Sequence, residues 1–321
     1  MELSLLDRSR TRAGDADGQA LHDSIARAKR AEELGYRRFW VAEHHAVPGI
    51  ASGSPAVLLA AIGQVTKRIR LGSGGVMLPQ HQPLVVAEQF RMLEALHPGR
   101  IDLGVGNSLG FTPAVRRALR RETTSPSTFE REIRELVGFL HDEGEVTARP
   151  ATPQIPVHVL ATRSGIDIAA RLGLPVVVGG PMVLDPALPD ALSRYRETSL
   201  AHGRRPHVIL SIDAFAAADE QRARELALPE AWAMAMSRRT GEFPPLESPE
   251  RILALPWADR VRERVDQHLA KVILGTPDGV ARLLQRLVET SGADEIMAST
   301  STFDPSALAD LDAALAHAVR N

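Results

Sequence analysis

Phe39 to Pro83 reads FWVAEHHAVPGIASGSPAVLLAAIGQVTKRIRLGSGGVMLPQHQP. Two short strands, Arg38–Ala42 and Ile69–Met77, each end in polar or glycine-rich residues, with a helix between them. Ser54-Pro55 gives that helix an N-cap and a proline at its first position, and Val57, Leu58, Ala61, Ile62 and Val65 form its apolar stripe. A strand, a capped helix and a second strand within this span imply a parallel crossover. Its reactive side chains then sit where the strands stop, as they do in α/β enzymes.

Working outward, the same unit recurs. A first strand at Leu3–Leu6 precedes a helix with Leu21, Ile25, Ala28 and Leu34 inward, which Gly35 ends. Pro83 opens a helix before a fourth strand at Ile101–Val105, and a polar loop, 106–127, follows it. Ser127 to Glu130 matches a capping box before the Ile133, Leu136, Val137 and Leu140 stripe. Strands five to seven fall at Val157–Leu160, Val176–Val178 and Val208–Ile212. Residues 216–275 exceed the length of a crossover, and Phe243-Pro244-Pro245, Pro249 and Pro256 predict an irregular insertion between strand seven and the last helical units, placed to cover the site as a lid. Thr276-Pro277 then caps a helix ended by Gly292, Glu295–Ala298 is strand eight, and Asp304-Pro305 starts the closing helix. Eight such units form a (β/α)8 TIM barrel in one domain over 1–321, an open doubly wound sheet being the alternative.

Composition narrows the function. With 321 residues, 44% of them hydrophobic, and a net charge of -2, the chain can bury a large core and has no bias toward nucleic acid. The absence of cysteine excludes disulfides, thiolate metal sites and thiol nucleophiles. No apolar run is long enough for a membrane helix, and the charged start is unlike a signal peptide, so a soluble cytoplasmic protein is expected.

Four segments carry chemistry. Glu43-His44-His45 ends strand two, and alternation gives His44 the lumen-facing parity of Trp40 and Ala42. An imidazole there serves as general base or hydrogen-bond donor, or else is a structural histidine tied to Glu43. Adjacent histidines at a strand end lack the HExxH geometry, so no metal site is expected. Gly72-Ser73-Gly74-Gly75 interrupts a strand, which implies either a bulge or close approach of a flat ligand to the main chain. Gly104 to Gly110 has GxGxxxG spacing, a weak dinucleotide signal. Thr162-Arg163-Ser164 lies before a helix and suits either phosphate binding or plain capping. Arg116, Arg117, Arg120 and Arg121 read as a solvated helix face.

GYRRFWVAEHH, IRLGSGGVMLPQHQPLVVAEQF, LHPGRIDLGVG, AARLGLP, GTPDGV and GADEIM occur in that order over nearly the whole chain. This series resembles the bacterial luciferase-like flavin-dependent monooxygenases. The resemblance implies a (β/α)8 barrel, usually dimeric, that binds reduced FMN or the deazaflavin F420 at the C-terminal mouth, with AEHH favouring the FMN branch. It implies that His44 is catalytic, that a non-prolyl cis peptide at Gly74-Gly75 props the flavin ring, and that Thr162 and Ser164 hold the phosphate. Where members carry a phosphate-gripping arginine this chain has Asn107, a change worth about 1.5–3 kcal/mol unless Arg163 compensates. The activity expected is oxygenation of a small organic substrate by O2 and reduced FMN from a separate flavin reductase. The alternatives are an F420-dependent hydride-transfer enzyme and a non-catalytic relative with weakened flavin binding. The substrate itself is not legible.

Overall fold

The computed structural model describes residues 1–161 and 163–320, the side chain of residue 163 excepted. In chain order the elements are β1 (Glu2–Asp7), α1 (Gln19–Glu33), β2 (Arg38–Val41), α2 (Pro55–Val65), β3 (Arg70–Ser73), β4 (Val76–Met77), α3 (Pro83–Leu96) and β5 (Ile101–Gly106). There follow α4 (Pro113–Ala118), α5 (Pro126–Leu140), β6 (Val157–Ala161), α6 (Arg163–Leu172), β7 (Val176–Gly179), α7 (Leu188–Ala201), β8 (Val208–Ile212) and β9 (Ala214–Ala216). The chain closes with α8 (Glu220–Thr240), α9 (Pro249–Ala254), α10 (Asp259–Leu269), β10 (Ile273–Gly275), α11 (Pro277–Ser291), β11 (Glu295–Ala298) and α12 (Pro305–Arg320).

The strands run β3-β2-β1-β11-β8-β7-β6-β5-β4, and β3 also pairs with β5, which closes the ring. Every pairing is parallel. Since β3 and β4 are the two halves of one broken strand, the nine strands make eight barrel positions. The expected (β/α)8 barrel is therefore the fold. The ends of α11 are where expected: Gly292 is left-handed at φ +66° and donates its N–H to Val288 O, and Thr276 Oγ1 caps the start by accepting from the Gly279 N–H.

Strand alternation divides the core. Phe39 and Val41 of β2 point out into the large apolar layer between strands and helices, whereas Trp40 points in and meets Val177, Ile209, Met297, Leu6 and Leu160. Below Trp40 the lumen is charged. Arg38 reaches Asp102 at 2.7 Å and Glu295 at 3.0 Å, and Trp40 Nε1 donates to Asp102 at 3.2 Å. All four groups are buried, so each charge depends on its partner.

Three expectations change. The capping serine of α5 is Ser125, whose Oγ accepts from the Thr128 N–H at 3.1 Å; Pro126 takes the first helical position, which puts Ser127 inside the helix. The polar loop contains α4, capped by Thr112; Arg116 on it donates to Gly110 O, and Arg121, beyond its end, pairs with Glu132, so neither is free. The insertion is largely helical. Pro244, Pro245 and Pro256 stand between helices and Pro249 opens α9 behind the Ser248 cap, so these prolines punctuate helices rather than prevent them, while Pro229 lies within α8. β9 and β10 pair in parallel at its two ends, Ile273 opposite Ala214, and the helices between them pack round Phe215, Leu226, Ile252, Val261 and Val265.

Candidate active site at the barrel mouth

The insertion bends back over the end of β2. Gly49 donates its N–H to Phe243 O at 2.7 Å, and Leu246 exchanges backbone bonds with Thr11 and Ala13 at 2.9 and 2.8 Å. Phe243 and Leu246 thereby join Val47 and Ile50 in a small apolar cluster. Between this roof and the strand ends lies a cavity of about 330 Å³, lined among others by Arg8, His44, Ile50, Phe111, Asp213 and Met234. That volume is within the range of small-ligand sites.

His44 faces this cavity, as its parity with Trp40 predicts. The ring stacks on Phe111, centroids 5.6 Å apart at 29°, and Phe111 in turn meets Phe243 at 6.0 Å. Its Nδ1 is buried and has no hydrogen-bond partner among the described residues. Burial, then the nearby Arg8 and Arg10 cations, lower its pKa to about 4, so the ring is neutral at pH 7 with one nitrogen unengaged.

His45 takes the other direction. Its Nε2 lies 2.5 Å from Glu43 Oε1, and His81 Nε2 reaches the same oxygen at 2.6 Å, while Oε2 accepts the Met77 N–H at 3.0 Å. Burial alone would raise the Glu43 pKa; the hydrogen bonds from His45 and His81 overcome it and hold the pKa at about 2. The tie to Glu43 that sequence allowed for His44 belongs to its neighbour. The ligating atoms of Glu43, His45 and His81 all lie within 4.8 Å of one another. Separations of 2.5 and 2.6 Å are nonetheless those of charge-assisted hydrogen bonds, since two ligands about 2.1 Å from a common ion stand about 3 Å or more apart. His81 was not legible as a partner because it comes from the far side of the β3–β4 break.

The Gly74-Gly75 peptide is cis. The glycines themselves are required by packing inside the protein. A Cβ at Gly72 would stand 2.5 Å from Trp40 Nε1, at Gly74 2.3 Å from Leu6 Cδ1, and at Gly75 2.8 Å from Gly104 O. Asn107 follows β5, half-buried, and its Oδ1 accepts from Thr124 Oγ1 at 3.1 Å, which leaves the amide NH2 as its donor end. Ser164 is exposed at the start of α6. Thr162 and the Arg163 side chain lie outside the described residues. Of the residues selected from sequence, His44 lines the cavity, while Gly74, Gly75, Asn107 and Ser164 do not. Sequence reasoning missed Phe111, Phe243, Arg8 and the α8 and α10 residues, none of which carries a local motif.

The model of the family described as "Luciferase-like monooxygenase" matches residues 1–295. The chain is 35% identical to the "Luciferase-like monooxygenase" of Escherichia coli (strain K12) over 311 residues, 94% of this chain and 92% of that one. It is 42% identical to the "N-acetyl-S-alkylcysteine monooxygenase" of Bacillus subtilis (strain 168) over 188 residues, 55% and 56% of the two chains. The crystal structure of apo-MsnO8 superimposes with a TM-score of 0.87 at 30% identity, covering 99% of this chain and 98% of that one. With a closed parallel barrel, a histidine facing its mouth, and likeness that spans nearly the full length, the chain belongs to the luciferase-like monooxygenase family.

Proposed function

We propose that the protein is a flavin-dependent monooxygenase that uses reduced FMN and O2 to oxygenate a small organic substrate, working as a homodimer and fed by a separate flavin reductase. The observation that carries this reading is the unengaged Nδ1 of a neutral His44 facing a cavity walled by Phe111, Ile50 and Phe243. The reacting edge of a flavin fits these surroundings, because a lone imidazole nitrogen beside an apolar wall suits a group that exchanges a proton, while the rest of the ring and the phosphate would reach beyond the cavity to residues that do not line it. Bound there, reduced FMN would supply the two electrons that let one oxygen atom pass to substrate and the other to water.

The chain's own residues divide the remaining work. Gly74 and Gly75 carry the ring, and Asn107, Thr162, Arg163 and Ser164 hold the phosphate, Asn107 through the NH2 that its bond from Thr124 leaves available. His44 accepts or returns a proton at Nδ1, a role open to it at pH 7 because its pKa near 4 keeps the ring unprotonated. Phe111, Phe243 and Ile50 exclude water from that nitrogen. Arg8 is held by Asp213 at 3.0 Å and Glu230 at 2.8 Å, so a cation that helps to lower the His44 pKa is fixed in place.

The test is an anaerobic titration with reduced FMN, followed by oxygen uptake in the presence of candidate substrates. Saturable binding is expected, with oxygen-dependent turnover that falls about 10²-fold or more in His44→Ala while binding is retained. Turnover that proceeds without oxygen and requires F420 would replace this reading with hydride transfer. Unchanged turnover in His44→Ala would remove His44 from the chemistry.

A further inference from the structure

The cavity's far wall, formed by the insertion, carries a charge pattern that the oxygenation chemistry does not use. Arg264, Gln267, His268 and Lys271 recur at i, i+3, i+4 and i+7 along α10 and the turn after it, so they present one stripe, and all four line the cavity. Arg238, near the end of α8, lines it from across.

The acids of the same cavity are already committed. Asp213 accepts from Arg8 at 3.0 Å and from Ser299 Oγ at 2.6 Å. Glu230 takes Arg8 on one oxygen at 2.8 Å and Arg10 on the other at 2.9 Å. Two carboxylates are thus matched by two guanidiniums, whereas Arg238, Arg264 and Lys271 pair with no acid among the described residues. A whole chain of net charge -2 therefore gathers unmatched positive charge at one wall. His268 adds a buried Nε2 with no hydrogen-bond partner among the described residues. Opposite lie Ile50, Phe111 and His44. The unmatched cations therefore all lie on the insertion side, beside Met234 and Phe243, while the barrel side offers Ile50, Phe111 and His44 next to the internally paired Arg8 and Asp213.

Building on the monooxygenase reading, we propose that the substrate is a small organic anion, a carboxylate with an apolar arm, whose charge is held by Arg264, Lys271 and Arg238 while the arm extends to His44. An anion at that wall gains charge-assisted hydrogen bonds from half-buried Arg264 and from the exposed Lys271 and Arg238 at the cavity rim. The reacting atom is then the one that the arm places beside His44, away from the charged end. An extended arm of several carbons suits a cavity of about 330 Å³.

Octanoate and octan-1-ol, which share an arm and differ in charge, are the probes. Their affinities are measured by calorimetry on the full chain, anaerobically and with reduced FMN present, for the wild type and for the double variant Arg264→Gln/Lys271→Gln; circular dichroism verifies the fold. The affinity of reduced FMN is measured separately on both. Wild-type protein should bind octanoate about tenfold or more tighter than octan-1-ol, and the variant should lose about that factor for octanoate alone, with FMN affinity unchanged. Arg238→Gln should weaken octanoate in the same direction. Equal affinity for the two probes, or octanoate binding unaltered in the variant, overturns the proposal. So does loss of FMN affinity with octanoate retained, which would assign these cations to the cofactor phosphate. A wild type that fails to bind reduced FMN yet prefers octanoate refutes the monooxygenase reading and leaves the anion site standing.

Discussion

At the residue scale, two adjacent histidines have opposite fates because consecutive side chains beyond a strand end turn to opposite sides. The parity of His44 could be read from Trp40. What the sequence could not provide was the state of the ring, which depends on burial and on Arg8 and Arg10 approaching from β1 and its loop. Since burial depresses the His44 pKa to about 4, the neutral ring that takes the proton is lost only as pH falls through about 4. The kcat profile should then show no inflection near 6.5 attributable to His44, the ordinary imidazole value, and an acid limb near 4 instead. Steady-state rates from pH 4 to 8, compared with His44→Asn, decide this; an inflection near 6.5 that vanishes in the variant would contradict the buried, neutral state. Glu43 makes a second case. Its folded pKa of about 2 is below the unfolded value, so its contribution to stability is present above about pH 4.3 and is lost as pH falls toward 2. Glu43→Gln should cost about 1.5–3 kcal/mol at pH 7 by urea denaturation, the worth of charge-assisted bonds, and the difference should shrink below pH 4.

At the scale of elements, the alternation of strands and helices was legible because each unit carries its own signals: an apolar run, a helical stripe, a proline or capping hydroxyl at the start and a glycine at the end. Ambiguity arose where two serines compete. Ser125 and Ser127 both precede the α5 stripe, and Pro126 decides between them by preferring the first helical position. Ser125→Ala should therefore destabilise by about 1 kcal/mol and Ser127→Ala by much less, checked by thermal unfolding. The insertion was misread for the same kind of reason, since prolines that open or separate helices look, in isolation, like prolines that prevent them. The lumen of the barrel was legible only as inward-facing positions. That Arg38, Asp102, His158 and Glu295 meet there follows from four distant strands reaching the same level, which no local pattern records. Arg38→Met should cost about 1.5–3 kcal/mol by removing the cation shared by Asp102 and Glu295, less than a fully unpaired charge because Arg70 still meets Asp102 at 2.5 Å and Arg37 lies 3.7 Å from Glu295. His158, fully buried, has its pKa lowered to about 4, chiefly by burial. With the folded value below the unfolded one, its contribution is full above about pH 6.5 and disappears as pH falls from 6.5 to 4, an amount of about 3 kcal/mol. Urea midpoints measured across that window should drop in the wild type, with a smaller slope in His158→Gln.

At the scale of the whole molecule, the barrel was legible, whereas the cavity was not, because its walls come from β1, the β5 loop and an insertion more than 200 residues later in sequence. The outer surface poses the remaining question. Two neighbouring helices, α2 and α3, expose apolar side chains on their outer faces: Val57 at 72% and Val65 on α2; Val85, Met92 at 56% and Leu96 at 58% on α3. On α3 these fall at i, i+7 and i+11, within a narrow stripe, so the neighbouring pair of helices presents several exposed apolar side chains. Burying a side chain of this kind is worth about 1.5–3 kcal/mol, and a stable dimer covers about 800 Å² per partner. A second copy placing its own α2 and α3 on the same surface satisfies both helices at once, since a two-fold interface is self-complementary. Light scattering coupled to size exclusion should give twice the chain mass for the wild type at micromolar concentration. Val57→Glu/Met92→Glu should run as a monomer with unchanged circular dichroism, because association would bury four carboxylates without cations. A wild type that elutes as a monomer would show that the stripe is not a self-association surface.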